Sequence, residues 1–418
     1  MSRRNVGADD RAAALDRRTV AKSVVLAATL LVAGSGAAHA QPANAAKAQP
    51  ADDFVVRLPA PTGPHQVGVT MLHLVDRHRR DPWDGAIPVR ELMVTVFYPA
   101  RTVRGYPIAP QMTPAAAEGF KAFDPVYWHR ELPTSGVDWA ATMTHSHTGA
   151  PAQAIRRPVL LYTPGGSDPR TIGTGVAEEL AGRGYVVVTI DHPGEPGAVE
   201  FPDGRIREYG LPGTPEDPRI FRTMIDTRLA DVRFVLDELT ALAAGRNPDA
   251  EARALPAHLG RALDLRRVGI YGHSAGGTAA AQALYEDRRI AAAVNLEGYL
   301  DYPPTRPGEE GELLPIARHG TDRPMLLLGT DGFRNARLDR SWSTMLGRPG
   351  GHTHRQWIDD ATHWVFTDYA AMAPHLQAAG LMTAENRIKL IGAIDPAISV
   401  PTVRARVHSF FARHLPSH

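Results

Sequence analysis

A serine flanked by glycines lies in the run Gly272-His273-Ser274-Ala275-Gly276. An apolar segment typical of a buried strand, "RRVGIYG", leads into this run, and an alanine-rich segment typical of a helix follows it. In such a strand-turn-helix setting the serine projects its hydroxyl from a tight turn, and the glycines avoid clashes that larger side chains would cause. We therefore predict that Ser274 is a nucleophile. The alternative is a glycine-rich turn with a structural role only.

A nucleophilic serine needs a general base, and histidine is the usual one. Several histidines follow Ser274, but only His363 comes directly after a strand-like segment near the end of the predicted sheet, in "HRQWIDDATH". His352 and His354 precede that strand and would lie at the opposite end of the sheet. No third ligand accompanies these two, as a metal site would require. We predict His363 as the base and no bound metal.

The third group needed is a carboxylate that orients the imidazole. Two candidates end predicted strands later in the chain: Glu297 closes "AAAVNLEG" and Asp331 closes "LLLGTDG". In many hydrolases with a serine in such a strand-turn-helix setting, the acid follows the later of these two strands, which favours Asp331. Position along the chain therefore leaves both residues open.

The oxyanion of an acyl-transfer intermediate needs two backbone N–H donors. One would come from Ala275, the residue after the serine, and the other from the glycine-rich turn "TPGGSD" that ends an earlier strand. Small residues in that turn let the backbone approach a substrate. The alternative for Gly165 and Gly166 is an ordinary tight turn.

The segments that would position these residues alternate between strands and helices. Short apolar runs such as "PVLLYTPGG" and "YVVVTIDHPG" indicate buried parallel strands. Two β-rich runs, residues 67–76 and 91–100, indicate an antiparallel pair at a sheet edge. With the order serine, acid, histidine, the pattern predicts an α/β-hydrolase fold over residues 67–418: a mostly parallel central sheet with helices on both faces and an antiparallel N-terminal edge.

Two segments are expected to border the site. Residues 201–225 fall between a predicted strand and a predicted helix on the active-site edge, and we predict a lid or pocket wall there. Residues 104–150, with Tyr127 and Trp128, would add to that wall. The alternative for both segments is a surface insertion.

The N-terminus has the three parts of an export signal. A polar region precedes the apolar run "SVVLAATLLVAGSGA", and Ala38-His39-Ala40 forms a small-x-small cleavage site. Arg17-Arg18 just before the apolar run indicate the twin-arginine type, with a general secretory signal as the alternative. We predict a signal peptide over residues 1–40, a flexible Ala/Pro/Gln-rich linker over 41–66, and a secreted or periplasmic location.

Composition excludes several classes of function. The 46 basic and 45 acidic side chains are balanced, so nucleic-acid binding is not expected. The absence of cysteine excludes disulfides, thiolate catalysis and cysteine-held zinc. The apolar run of the signal is short for a membrane span, and no stable span is expected after its removal. No organic cofactor is implied, and the oligomeric state stays open.

Three segments together resemble the plasma-type platelet-activating factor acetylhydrolase family of serine esterases. These are "PVLLYTPGGSDPRT", "GHSAGGTAAAQAL" and "ATHWVFTDY", and the resemblance spans residues 158–368. In that family the acid follows the strand after the serine's helix, about two dozen residues beyond the serine. Glu297, 23 residues after Ser274, fills this place, so the resemblance implies Glu297 rather than Asp331 as the acid. It also implies Gly166 as the second oxyanion donor.

The chain departs from the family at two points. Glu297 stands where the family usually has aspartate, so the longer side chain needs a slightly retracted strand end. Pro164-Gly165 precede Gly166 where the family usually has His-Gly. With these departures, the chain is expected to be an exported serine hydrolase of short-acyl or lipid-like carboxylic esters. The alternatives are an acyltransferase, an amidase or peptidase on the same residues, and a non-catalytic binding protein.

Overall fold

A computed structural model of the protein describes residues 54–417. The predicted signal peptide and residues 41–53 of the predicted linker lie outside this range. Among the described helices, none combines the length and the apolar character that crossing a bilayer requires.

Ten strands form one central sheet in the order β12-β11-β10-β9-β5-β6-β2-β1-β4-β3, and β7 pairs with β8 in a separate hairpin. The strands are β1 (Val67–Asp76), β2 (Arg90–Pro99), β3 (Ile108–Pro110), β4 (Met143–Thr148), β5 (Arg157–Thr163), β6 (Val186–Ile190), β7 (Ala198–Glu200), β8 (Ile206–Glu208), β9 (Leu263–His273), β10 (Ile290–Leu296), β11 (Met325–Thr330) and β12 (Thr353–Ile358).

Helices cover the sheet and join its strands. They are α1 (Pro114–Phe123), α2 (Thr174–Gly182), α3 (Pro218–Ala243), α4 (Leu259–Ala262), α5 (Ala275–Glu286), α6 (Pro315–His319), α7 (Ala336–Leu346), α8 (Tyr369–Ala378), α9 (Ala384–Ile391) and α10 (Pro396–His414). Short turns of other helix types occupy Asp124–Trp128, Arg170–Gly173 and His363–Phe366.

The two faces of the sheet bury separate apolar clusters. On β5, Val159 and Leu161 pack into the cluster that includes α3 and α5, whereas Leu160 and Tyr162 pack into the cluster that includes α2 and α10. Side chains alternate across a strand, so a strand buried on both faces is a continuous apolar run. Strands β6, β5, β9, β10, β11 and β12 pair in parallel, which confirms the predicted fold class.

The antiparallel N-terminal part is also present, because β1 pairs with β2 along its whole length and β2 pairs antiparallel with β6. Two short strands, β3 and β4, extend the sheet beyond β1. They come from the proline-rich stretch between residues 101 and 157, whose composition gave no strand signal.

Residues 54–66 differ from the predicted flexible linker. Val56 and Leu58 are buried in an apolar cluster with α1 and α8. Thr62 donates hydrogen bonds from its N–H and its hydroxyl to the Glu179 carboxylate, both at 2.7 Å. The alternation of apolar residues in "FVVRL" accounts for this packing, which the surrounding alanines and prolines obscure in the composition.

Candidate active site

Ser274 occupies the turn between β9 and α5, at the carboxyl edge of the sheet. Its backbone has φ 55° and ψ −121°, a conformation that residues with a side chain rarely adopt. The flanking glycines are required sterically: a Cβ on Gly276 would lie 2.0 Å from the carbonyl oxygen of Thr163, and one on Gly272 would lie 2.2 Å from the carbonyl oxygen of Gly276. The tight turn around Ser274 therefore has room for glycine only at these two positions.

His363 lies after β12, at the same edge of the sheet. Its ring stacks on Phe333 with centroids 4.0 Å apart and contacts the His273 ring at 4.4 Å. Its Nδ1 lies 2.8 Å from Glu297 Oε2. Burial lowers the pKa of His363 to about 3, so the imidazole is neutral near pH 7. A neutral imidazole that donates from Nδ1 keeps a free lone pair on Nε2.

Glu297 follows β10 directly and is fully buried. Its backbone φ of 63° turns the chain at the strand end, so that the long side chain points back toward His363. Oε1 accepts hydrogen bonds from the Thr330 N–H at 2.5 Å and the Thr330 hydroxyl at 2.7 Å. Burial raises the pKa of Glu297, whereas the two hydrogen bonds from Thr330 favour the charged carboxylate. The turned strand end is how this chain accommodates a glutamate at the position.

Asp331, the other acid candidate, contacts backbone rather than the imidazole. Its carboxylate accepts hydrogen bonds from the N–H groups of Asp360 at 3.1 Å and Ala361 at 3.2 Å. These residues form the turn that leads from β12 to His363. Asp331 therefore holds the loop that carries the histidine, and Glu297 holds the ring.

Ser274 lies beside the Glu297–His363 pair. Its N–H donates to the carbonyl oxygen of Leu296 at 2.9 Å, directly before Glu297. The side chain of His273 donates from Nε2 to the His363 carbonyl oxygen at 2.9 Å. Within residues 54–417 the Ser274 hydroxyl makes no hydrogen bond, and catalytic hydrogen bonds often tighten only when substrate binds.

Gly166 lies close to Ala275, the residue that follows the serine. A Cβ on Gly166 would lie 3.9 Å from the Ala275 Cβ and 3.5 Å from Cε of Met224 in α3. Neither the Gly166 nor the Ala275 N–H donates a hydrogen bond within the described chain. Ala275 is also the first residue of α5, where the partial positive charge of the helix favours an anion.

The predicted lid contains one strand of a hairpin, a loop and the first turns of a helix. Residues 201–225 include β8 and the start of α3, and Met224 brings α3 next to Gly166. Residues 104–150 also approach the site. The His129 ring packs edge-on against the ring of Trp364, the residue after His363, with centroids 4.3 Å apart. Tyr127 is 59% exposed and Trp128 is half-buried, and whether they contact substrate stays a prediction.

Sequence reasoning missed several residues that support the site. Thr330 and Phe333 gave no signal because they follow a strand without forming a motif. Arg228 lies in the amphipathic helix α3 and reads as one of its polar residues, yet it is fully buried. Only long-range contacts identify these three.

One group of side chains within residues 54–417 has the composition of a metal site. Ligand atoms of Asp124, His129 and Asp168 lie within 4.8 Å of one another. Nδ1 of His129 already pairs with Asp124 at 2.5 Å, and the Tyr369 hydroxyl donates to the same carboxylate at 3.1 Å. These contacts form a hydrogen-bonded chain among the buried side chains, and the absence of a metal stays a prediction.

Known proteins similar to this chain include two esterases. No family model matches the chain. It is 28% identical over 372 residues to a probable 1-alkyl-2-acetylglycerophosphocholine esterase of Arthroderma benhamiae, covering 85% of this chain and 87% of the relative. A solved structure, the ferulic acid esterase from Streptomyces cinnamoneus, superposes with a TM-score of 0.66 at 30% identity, covering 87% of this chain and 94% of that one.

The chain belongs to the α/β-hydrolase esterases. It is a carboxylic ester hydrolase and resembles the platelet-activating factor acetylhydrolases, as the sequence predicted.

Proposed function

We propose that this esterase uses Ser274 as nucleophile, His363 as general base and Glu297 as the residue that orients the imidazole. The observation that carries the proposal is the hydrogen bond of 2.8 Å between His363 Nδ1 and Glu297 Oε2, beside the strained serine turn. In this proposal His363 donates its Nδ1 proton to the Glu297 carboxylate, which leaves Nε2 free to accept the serine proton.

The reaction then follows from the positions of these groups. Ser274 Oγ attacks the ester carbonyl carbon while its proton passes to His363 Nε2. The resulting oxyanion accepts hydrogen bonds from the N–H groups of Gly166 and Ala275. The intermediate collapses, the alcohol leaves with the proton from Nε2, and an acyl-enzyme remains. Water attacks this ester, gives a proton to Nε2, and the acid leaves as Ser274 Oγ takes the proton back.

A fluorophosphonate probe tests the nucleophile. The wild-type esterase should be labelled at Ser274, and Ser274→Ala should lose labelling together with activity, by a factor on the order of 10⁶ in kcat. Ser343→Ala removes an exposed serine hydroxyl from α7 and is the matched control, with labelling unchanged. Labelling of Ser274→Ala at wild-type level would refute the assignment.

The proposed substrates are carboxylic esters with a short acyl group or a lipid-like alcohol. The support is the fungal relative, which is named for an acetyl ester of a glycerophosphocholine, and the bacterial one, which is named for ferulic acid. A series of p-nitrophenyl esters of increasing acyl length should show the highest kcat/KM for short chains. Equal rates on matched anilides would indicate an amidase, and ester formation with an added alcohol would indicate an acyltransferase.

We also propose that the esterase is exported through its N-terminal signal. The arginine pair Arg17-Arg18 and the small-x-small site ending at Ala40 support this. N-terminal sequencing of the extracytoplasmic protein should begin at Gln41. Replacement of both arginines by lysine should retain the protein in the cell. Retention of the N-terminal forty residues on the exported protein would contradict the proposed cleavage.

A further inference from the structure

A buried arginine lies directly behind the oxyanion turn. Arg228, in the middle of α3, has no exposed surface. Its Nη1 donates to the Pro164 carbonyl oxygen at 2.5 Å, and its Nη2 donates to the Gly165 carbonyl oxygen at 2.9 Å. One guanidinium thus holds two consecutive carbonyl groups of the turn. Its planar fork suits this, since it presents several N–H donors in a fixed arrangement.

These contacts determine where the neighbouring N–H points. The Gly165 carbonyl and the Gly166 N–H belong to one planar trans peptide, in which the C=O and N–H bonds point in opposite directions. Because the Gly165 carbonyl points toward Arg228, the Gly166 N–H points away from the Arg228 guanidinium. Ala275, whose N–H is the other proposed oxyanion donor, lies next to Gly166.

The turn has little intrinsic preference for this orientation. The peptide between Gly165 and Gly166 has glycine on both sides, and glycine adopts conformations on both halves of the φ/ψ map without steric penalty. A flip of this peptide would require rotation only about ψ of Gly165 and φ of Gly166. The hydrogen bond from Arg228 opposes the flip, because a flipped carbonyl would leave the buried guanidinium donor without its partner.

The charge of Arg228 is balanced on the side away from the turn. Glu195 is fully buried, and its Oε2 accepts from Arg228 Nε at 3.0 Å and from Nη2 at 2.5 Å. Glu195 thus fixes the guanidinium, and the guanidinium fixes the turn. Arg90 offers a comparison: it is equally buried and pairs with Asp231 at 2.8 Å, yet its carbonyl contact is with Pro193, outside the turn.

We propose that Arg228 is a positioning residue for ester hydrolysis, which holds the Gly165–Gly166 peptide so that the Gly166 N–H faces the oxyanion. This inference rests on the proposed serine mechanism. Arg228 does not touch the reacting atoms, and it acts through the backbone of the turn.

The test is Arg228→Lys, measured with p-nitrophenyl acetate and with an alkyl boronic acid that forms a tetrahedral adduct on Ser274. Lysine keeps the positive charge beside Glu195 but lacks the fork that holds both carbonyl groups. We expect kcat to fall by about 10²-fold with KM nearly unchanged, the scale of one lost oxyanion donor. The affinity for the boronic acid should fall by a similar factor, since its tetrahedral oxygen needs the same N–H.

Arg90→Lys is the matched control for replacing a buried arginine. It should lower the melting temperature without a comparable loss of kcat or of boronic acid affinity. If Arg228→Lys does not fold, the double variant Arg228→Met with Glu195→Gln leaves no unpaired buried charge and should fold with the same loss of kcat.

Two results would overturn the proposal. One is a folded Arg228 variant with wild-type kcat and boronic acid affinity. The other is a loss in Arg90→Lys that equals the loss in Arg228→Lys, which would make the effect one of general stability. Failure of the serine mechanism itself is distinguishable, because wild-type Ser274 would then not react with a fluorophosphonate.

Discussion

The replacement Glu297→Gln separates the orienting role of this carboxylate from its place in the core. The Thr330 N–H, 2.5 Å from Oε1, can only donate, so the amide oxygen of the glutamine must face Thr330. The amide NH₂ then faces His363 Nδ1 at the position where Oε2 now lies, 2.8 Å away. Two donors cannot share that contact, so the imidazole proton moves to Nε2 and the nitrogen facing the serine loses its lone pair.

The expected loss follows from this tautomer change. An imidazole with the proton on Nε2 cannot accept the serine proton, and the equivalent amide substitution in a serine protease lowers kcat by about 10⁴-fold, or about 5 kcal/mol of transition-state stabilisation. Steady-state hydrolysis of p-nitrophenyl acetate measures kcat. Active-site titration corrects for the fraction of competent enzyme.

Stability should change in the opposite direction. Burial raises the pKa of Glu297 above 4.5, so its contribution to stability is complete below pH 4.5 and is lost as the pH rises through the raised pKa of the folded state. Glutamine carries no charge at any pH and removes this loss. Urea unfolding at pH 8 should therefore find Glu297→Gln at least as stable as the wild type, although it is almost inactive.

Asp331→Asn is the control, because asparagine keeps a carbonyl oxygen for the backbone N–H groups that Asp331 binds. Its kcat should stay within about threefold of the wild-type value, as expected for a residue that does not act on the imidazole. If Glu297→Gln kept more than about a tenth of wild-type kcat, the tautomer argument would fail. A large loss in Asp331→Asn instead would transfer the orienting role to Asp331.

Three further predictions concern packing, charge and pH. Gly276→Ala places a Cβ 2.0 Å from a backbone oxygen and should cost about 3 kcal/mol or more in thermal unfolding. Asp231→Asn should cost about 3 kcal/mol at pH 7, because it removes one of the two carboxylates that pair with the buried Arg90, the other being Asp81. Burial disfavours the charged form of Asp231, but the attraction of Arg90 is stronger and holds the pKa of Asp231 below 3.8. The stability that the charged Asp231 contributes should therefore be present at pH 7 and be lost only as the pH falls below 3.8. Phe333→Ala should hydrate His363, raise its pKa and shift the acid limb of the kcat/KM profile to higher pH.

Each of these predictions has a contrary outcome. A Cβ on Gly85 meets nothing within 4 Å, so Gly85→Ala should melt like the wild type, and equal melting of Gly276→Ala would show that the turn can shift. If Asp231→Asn were as stable as the wild type from pH 7 to pH 3, the charge argument would be refuted. An acid limb that does not move in Phe333→Ala would show that the ring does not shield His363.

The position of the two candidate acids along the chain could not decide which of them contacts His363. Glu297 and Asp331 end neighbouring parallel strands, β10 and β11, so both reach the same edge of the sheet. Their contacts differ because of backbone conformation: the positive φ of Glu297 points its side chain at His363, whereas Asp331 binds the N–H groups of a turn. Conformation at a single residue is set by tertiary packing, and no local pattern in the sequence records it.

The sequence by itself determined the fold class, because alternating apolar strands and helices are local patterns, and its resemblance to the platelet-activating factor acetylhydrolases indicated ester hydrolysis. It also singled out His363 from its position after the last strand. The tertiary structure decided which carboxylate meets the imidazole, that residues 54–66 pack on the domain, and that Arg228 holds the turn of Gly165 and Gly166. These contacts join residues far apart in the chain, and their geometry exists only once the sheet and its helices have packed.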